Sequence, residues 1–513
     1  MSRSPAGAPR EVAGRIGSDL TQIPSLLGRV PRLLGRVPRA AWFCALIACL
    51  NAICWSLITP PFQLIDEPAH FAYVQQLAET GSLPNSGNSE YSQEEEVALR
   101  DLRQSEVRWH PEVQGVSTAA EQNRLEHDLA MALARAGPGS AGVASTQPPL
   151  YYALQTIPYA LGSSGSLLDR LALMRLFSAL MGGLTALFCW LFIRESLPAV
   201  PWAWTVGGLG VALIPLLGFM SGALNPDAML FAVSAAVFYA LARAFRRGLT
   251  LRLALAIGLL AALGTLTKLN FLGLLPGVIL GLIVLAVRAA KSSKADAYRA
   301  LGLGLGLAVA PIGLYVVINL FSNRAGLGVA SSGINLTTGH GSLGGELSYI
   351  WQFYLPRLPG MATDFPGLSP IRQVWFDRSV GLYGWLDTPF PIWVENLALI
   401  PAALLTILGV RALVTLRATL RRRLLELAVY AVMGLGVLVL VGSDSYLGFP
   451  GQAGTYGEPR YLLPMLPLIG AGLALSARGA GRRWGPAVGT LIVVLLLAHN
   501  IFSQLQVIAR FYG

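Results

Sequence analysis

From Trp42 to the end of the chain, apolar runs of about 17 to 23 residues recur, each long enough to cross a bilayer as a helix. In hydrocarbon no water satisfies the backbone, so such runs fold as helices whose polar groups bond internally. The composition agrees: 54% of residues are hydrophobic, 13% are charged, and the mean hydropathy is +0.56, outside the range of soluble domains. The expected fold class is an all-α polytopic membrane protein.

The net charge of +11 raises nucleic acid as a partner, but the arginines cluster in short segments between apolar runs, as cytoplasmic loops require. No nucleic-acid partner is expected. The four cysteines, Cys44, Cys49, Cys54 and Cys189, all fall in apolar runs, so neither a disulfide framework nor a zinc site is indicated. Residues 1–40 carry seven Arg against two acids and a tandem duplication, Leu26–Arg32 followed by Leu33–Arg39. They read as a basic cytoplasmic arm on anionic lipid. The first apolar run has no small-residue cleavage site after it and reads as a retained anchor.

Residues 41–513 then form one membrane domain with polar insertions at 59–145 and 322–390. Spans are expected at about 41–58, 171–193, 202–221, 228–243, 251–267, 270–288, 300–321, 391–412, 424–442, 457–477 and 485–506. The short apolar segment ending near Gly162 is taken to dip without crossing. Every Arg-rich loop then shares the cytoplasmic side, and the C-terminus lies outside. The setting is the cytoplasmic membrane, with the active site on its outer face.

The stretch Thr59-Pro60-Pro61-Phe62-Gln63-Leu64-Ile65-Asp66-Glu67-Pro68-Ala69-His70-Phe71 is the candidate active site. Pro68 suits the first turn of a helix, which places Asp66 one turn below His70. An acid in this position commonly caps the helix, but ionisable groups at the edge of a hydrocarbon layer tend to be functional. Residues 90–135 carry helical periodicity and read as juxtamembrane helices over this site. His110 and His127 read as solvated loop residues, without ligand-like spacing.

With this topology the other polar groups at span ends collect on the same face: Gln147, Asn225-Pro226-Asp227, Lys268, the loop from Asp377 to Asp387, and Glu458-Pro459-Arg460-Tyr461. Asp227 is equally a helix cap by position. Lys268 is one of three lysines against 35 arginines, and the other two lie in a cytoplasmic loop. Arg460 on the outer side departs from the charge rule and calls for an anionic partner: Glu458, Asp444 or a substrate phosphate. The aromatics of 322–390, including Trp351, Trp375 and Tyr354, read mainly as interfacial belt residues, with a minority free to stack on sugars.

The motifs Phe62–Phe71, Pro148-Pro149-Leu150-Tyr151, Asn225–Asp227, Tyr383-Gly384-Trp385-Leu386-Asp387 and Arg460–Pro464 resemble the GT-C superfamily of integral-membrane glycosyltransferases, and within it a bacterial membrane family of unassigned function. The resemblance runs from about Pro60 to Pro467, with Pro459 where the pattern has a glycine. It implies a GT-C-like fold and transfer of a sugar from a polyprenyl-phosphate donor to an envelope glycan, glycolipid or glycoprotein. It also implies Asp66 as catalytic base and Lys268 and Arg460 as holders of the lipid phosphate.

The chemistry stands without the family. A phosphodiester leaving group needs positive charge and no general acid, while the acceptor hydroxyl needs a base. Asp66 and Glu67 are therefore expected as catalytic residues. His70, Gln147, Asn225, Asp227, Lys268, Trp385, Glu458, Arg460 and Tyr461 are expected to bind substrate. One base and direct displacement give inversion. A divalent cation can bridge carboxylates and phosphate, but no residue cluster demands one. A polymerase or ligase of lipid-linked glycans shares these features. A flippase would place charges at span midpoints, where this chain has none.

Overall fold

The computed structural model describes residues 37–84, 91–137, 141–321, 343–361, 370–448 and 457–513. The basic arm, apart from its last four residues, lies outside them, as does the start of the second insertion.

In chain order the elements that matter here are α1 (Arg39–Ile58), α2 (Glu67–Thr80), α3 (Gln93–Asp101), α4 (Ala119–Leu129), α5 (Leu150–Leu161) and α6 (Leu167–Ser196). Then follow α7 (Pro201–Ala212), α8 (Pro215–Ser221), α9 (Asp227–Arg247), α10 (Leu251–Thr267), α11 (Leu275–Ala289) and α12 (Lys294–Phe321). The C-terminal part carries α13 (Leu343–Tyr354), a hairpin of β1 (Leu382–Tyr383) and β2 (Thr388–Pro389), α14 (Ile392–Thr415), α15 (Leu424–Gly448), α16 (Leu466–Gly479) and α17 (Gly481–Tyr512).

Each expected span meets a helix. Among the described residues eight helical stretches are long and apolar enough to cross a membrane, nine if the bent pair α7–α8 is one span. That bend of 56° falls before Pro215, which has no N–H to continue the ladder. The regions expected at 251–267 and 270–288 give shorter helices of 17 and 15 residues. The second is shortened because the chain extends at Lys268 (φ −156°, ψ 136°) and makes a 3₁₀ turn, Leu269–Gly273, before α11. Helix α5 has 12 residues, about 18 Å, too short for a hydrocarbon layer of about 30 Å.

Small residues let helices touch backbone to backbone. Gly207 of α7 meets Gly470 of α16, where a Cβ would lie 2.5 Å from the Gly470 carbonyl oxygen. A polar staple joins α1 to α17: Trp55 Nε1 donates to Asn500 Oδ1 (3.1 Å), and Asn500 Nδ2 to Asn51 Oδ1 (2.8 Å). The two ends of the bundle differ in charge. At one, Glu195 receives Arg246 (3.0 Å) and Arg247 (3.3 Å), and Arg423 donates to the Ser196 carbonyl. The opposite end holds the candidate site.

The first insertion folds onto that end. Ser92 caps α3, and a Thr118–Glu121 capping box opens α4. Glu94 of α3 accepts from Gln75 of α2 (2.9 Å) and pairs with the buried Arg170 of α6. His110 is exposed and paired with Glu112 at 2.9 Å. Of the aromatics in the second insertion, Tyr349, Tyr354 and Trp375 pack with Phe353, and Trp375 Nε1 donates to the Phe353 carbonyl, while Trp351 is exposed.

Next to Glu94, the Glu95 carboxyl is fully buried, and neither oxygen has a hydrogen-bond partner among the described residues. Burial, reinforced by Glu94 and Glu96, holds it well above the usual carboxylate range. A carboxyl raised on folding costs stability as pH climbs above its unfolded value. Glu95→Met is therefore expected to melt higher than wild type at pH 7.5, with a gap that narrows toward pH 5 by at most about 1.4 kcal/mol per pH unit. A gap independent of pH would show that folding does not raise this carboxyl.

Candidate active site

The loop between α1 and α2 is held in an unusual conformation. Phe62 (φ 61°) and Asp66 (φ 63°) both occupy the left-handed region, which costs side-chain-bearing residues about 1–3 kcal/mol each unless the surroundings fix them. Here they do. Arg175 of α6 donates to the carbonyls of Ser56 (3.0 Å), Thr59 (2.9 Å) and Pro60 (3.1 Å), and its remaining donors go to Glu67 at 2.8 and 2.5 Å. Glu67, fully buried, also accepts the backbone N–H of Phe62 and of Leu224, both at 3.0 Å. Trp385 adds a third restraint, donating its indole N–H to the Phe62 carbonyl at 3.0 Å.

Helix α2 begins at Glu67 with Pro68 in its first turn, and Asp66 stands at the N-cap position without a side-chain capping bond. The Asp66 carboxylate, 30% exposed, lies 3.4 Å from Arg460 Nη2. Arg460 follows Glu458 in a 3₁₀ turn, Pro459–Met465, that leads into α16; Glu458 itself lies in the loop before the span. Glu458 Oε2 is 2.6 Å from Arg460 Nε, an ion pair without hydrogen-bond alignment, and Arg460 Nη1 is buried with no hydrogen-bond partner among the described residues.

Lys268 bonds Asp227 Oδ1 at 2.8 Å, while Asn225 Oδ1 accepts the Asp227 N–H at 2.9 Å. Asn225, one residue before the Pro226 N-cap, thus takes the first N–H of α9, and the Asp227 carboxylate pairs with the lysine. Both cations flank one ring: Lys268 Nζ is 5.9 Å and the Arg460 guanidinium 5.1 Å from the Tyr461 centroid. His70 Nδ1 is 2.9 Å from the Tyr152 hydroxyl. Burial first, then the charges of Lys268 and Arg460, hold His70 well below the usual imidazole range, so it is neutral at pH 7.

Asp66, His70, Asp227, Lys268, Glu458, Arg460 and Tyr461 therefore form one cluster from four separate stretches. Glu67, expected as catalytic, stands apart, saturated by four donors, and Trp385, expected to bind substrate, supports the loop through Phe62. The backbone carbonyl of Gln147 accepts from the Tyr73 hydroxyl at 3.3 Å, while its side-chain Oε1 is buried without a hydrogen-bond partner among the described residues. Arg175 and Tyr152 were not singled out in the sequence. Arg175 had a signal, since it too is a basic residue at the non-cytoplasmic end of an expected span. Beside Arg460 a cleft lined by Ile65, Phe219, Arg378, Leu386 and Glu458 has an open volume of about 20 Å³, room for one water. Among the described residues no three His, Cys, Asp or Glu stand together as a cation site.

This is a helical multi-pass membrane protein with a pocket of opposed charges at one end of its bundle. The chain belongs to the DUF2142 family of predicted membrane proteins, whose pattern matches residues 49–469. No curated protein matches the sequence.

The chain is also similar to several solved structures. One is ArnT from Cupriavidus metallidurans in the apo state, at 13% identity and a TM-score of 0.43, covering 86% of this chain and 60% of that one. Another is the Archaeoglobus fulgidus oligosaccharyltransferase in the apo form, also at 13% and 0.43, covering 92% of this chain and 56% of that one. ArnT bound to undecaprenyl phosphate matches at 12% identity and 0.42, covering 91% of this chain and 75% of that one.

Proposed function

We propose that the protein is an inverting glycosyltransferase that moves a sugar from a polyprenyl-phosphate donor to an envelope glycan, glycolipid or glycoprotein. The observation that carries this reading is a partly exposed carboxylate, Asp66, beside a buried guanidinium with an unused donor, Arg460 Nη1. The acceptor hydroxyl loses its proton to Asp66 as its oxygen attacks the anomeric carbon. The bond to the phosphate oxygen breaks on the far side, and Arg460 and Lys268 take up the charge that develops on the departing phosphate.

Neutral His70, fixed by Tyr152, adds no competing cation. Glu67 and Arg175 hold the loop that presents Asp66.

The test is to incubate purified protein with a panel of polyprenyl-phosphate sugars and envelope extracts, following release of the polyprenyl phosphate. Turnover with at least one donor, and a product of inverted anomeric configuration, is expected. Release from none of them, or retained configuration, would overturn the reading.

A further inference from the structure

The pocket is already electrically full. Arg460, Lys268 and Arg378 face Asp66, Asp227 and Glu458, three cations against three carboxylates. Glu458 is 6% exposed and feels Arg460, Asp66, Lys268, Asp227 and Arg378 together. The Tyr461 ring lies within 6 Å of both principal cations, and His70 carries no charge near neutral pH. A donor phosphodiester brings a further negative charge to a site where Glu458 already occupies Arg460, and burying an uncompensated charge is costly. Asp66 cannot yield to it, because a base must stay ionised, and Asp227 is locked to Lys268 at 2.8 Å.

We infer that binding of the donor phosphodiester at Arg460 places one proton on Glu458, whose carboxylate surrenders the guanidinium in exchange. The proton comes from solvent, the pocket returns to electrical balance, and Arg460 turns its donors to the phosphate. This deepens the donor reading above and rests on it. Burial pushes the Glu458 carboxyl up to about 7 against the pull of Arg460, so the group is poised to take the proton near neutral pH.

The sign follows by linkage. Below about pH 7 the proton is already on Glu458, and donor affinity is flat; above it, each binding event takes up a proton, and affinity falls by up to tenfold per pH unit.

The probe is farnesyl methyl phosphate, a diester that does not titrate in this range and needs no knowledge of the sugar. Titration calorimetry on detergent-purified protein from pH 6.5 to 8.5 is expected to give this slope for wild type. At pH 8, runs in two buffers of different ionisation enthalpy should count about one proton taken up. Glu458→Gln, which keeps Lys268 and every other titrating neighbour, should bind with no slope above pH 7 and at pH 8.5 at least tenfold more tightly than wild type.

The same slope in both proteins would assign the titration to another group, Lys268 first, and overturn the inference. Wild-type binding without a slope or proton uptake sinks the linkage alone and leaves the donor reading standing. No binding by wild type at any pH removes both. If Glu458→Gln does not fold, the proton count on wild type decides.

Discussion

Asp66→Asn is expected to lower sugar-transfer turnover by about 10²- to 10⁴-fold while leaving the melting temperature close to wild type, the span that a positioned general base contributes. Asparagine is the right probe because Asp66 sits at φ 63°, a region that Asn and Asp tolerate and Ala does not. The substitution keeps side-chain shape and removes only the proton acceptor. Among the described residues that carboxylate makes no capping bond, and its ion-pair partner is Arg460 at 3.4 Å. Donor binding should persist or tighten, since a negative charge beside the phosphate site is lost. Wild-type turnover in this variant would remove Asp66 from the reaction. An equal loss of stability would instead make it a structural residue.

The span order was legible because a hydrocarbon layer dictates apolar runs of one length and leaves charge to the ends. The start of α2 was legible from Pro68, and the convergence of Asp66, Lys268 and Arg460 from the side of the layer each should occupy. The division of labour between Asp66 and Glu67 was not. Two adjacent acids look alike in a string of letters. They separate only when the chain turns left-handed at Asp66, leaving one carboxylate at the pocket and the other under Leu224 and Arg175. Nor could local pattern find Tyr152, whose partner lies 82 positions away, or tell which carboxylate Arg175 meets 108 positions away. Trp385 is expected from the sequence to bind substrate; in the structure its indole N–H is committed to the Phe62 carbonyl. Such long-range pairings depend on how helices dock, which periodicity does not encode.

Glu67→Gln is expected to cost about 3–5 kcal/mol of stability, because it strips the charge partner from a buried guanidinium. Arg175 is 5% exposed and Glu67 wholly buried in their side chains, so neither charge has water to fall back on. The amide can still accept from the Phe62 or Leu224 N–H through one oxygen, but its NH₂ group would point donors at the donors of Arg175. The loop then loses what holds Phe62 and Asp66 in their left-handed conformations, and turnover should fall together with the melting temperature.

Removing both charges separates this account from simple loss of packing. In Glu67→Gln with Arg175→Met no unpaired charge remains, so the double variant should melt higher than Glu67→Gln alone, although it has lost more hydrogen bonds. Its turnover should stay low, because the Ser56, Thr59 and Pro60 carbonyls no longer have the guanidinium that shaped the loop. Additive losses in the double variant would mean that the pair is no electrostatic unit, and the loop would then owe its shape to Trp385 and the hairpin instead.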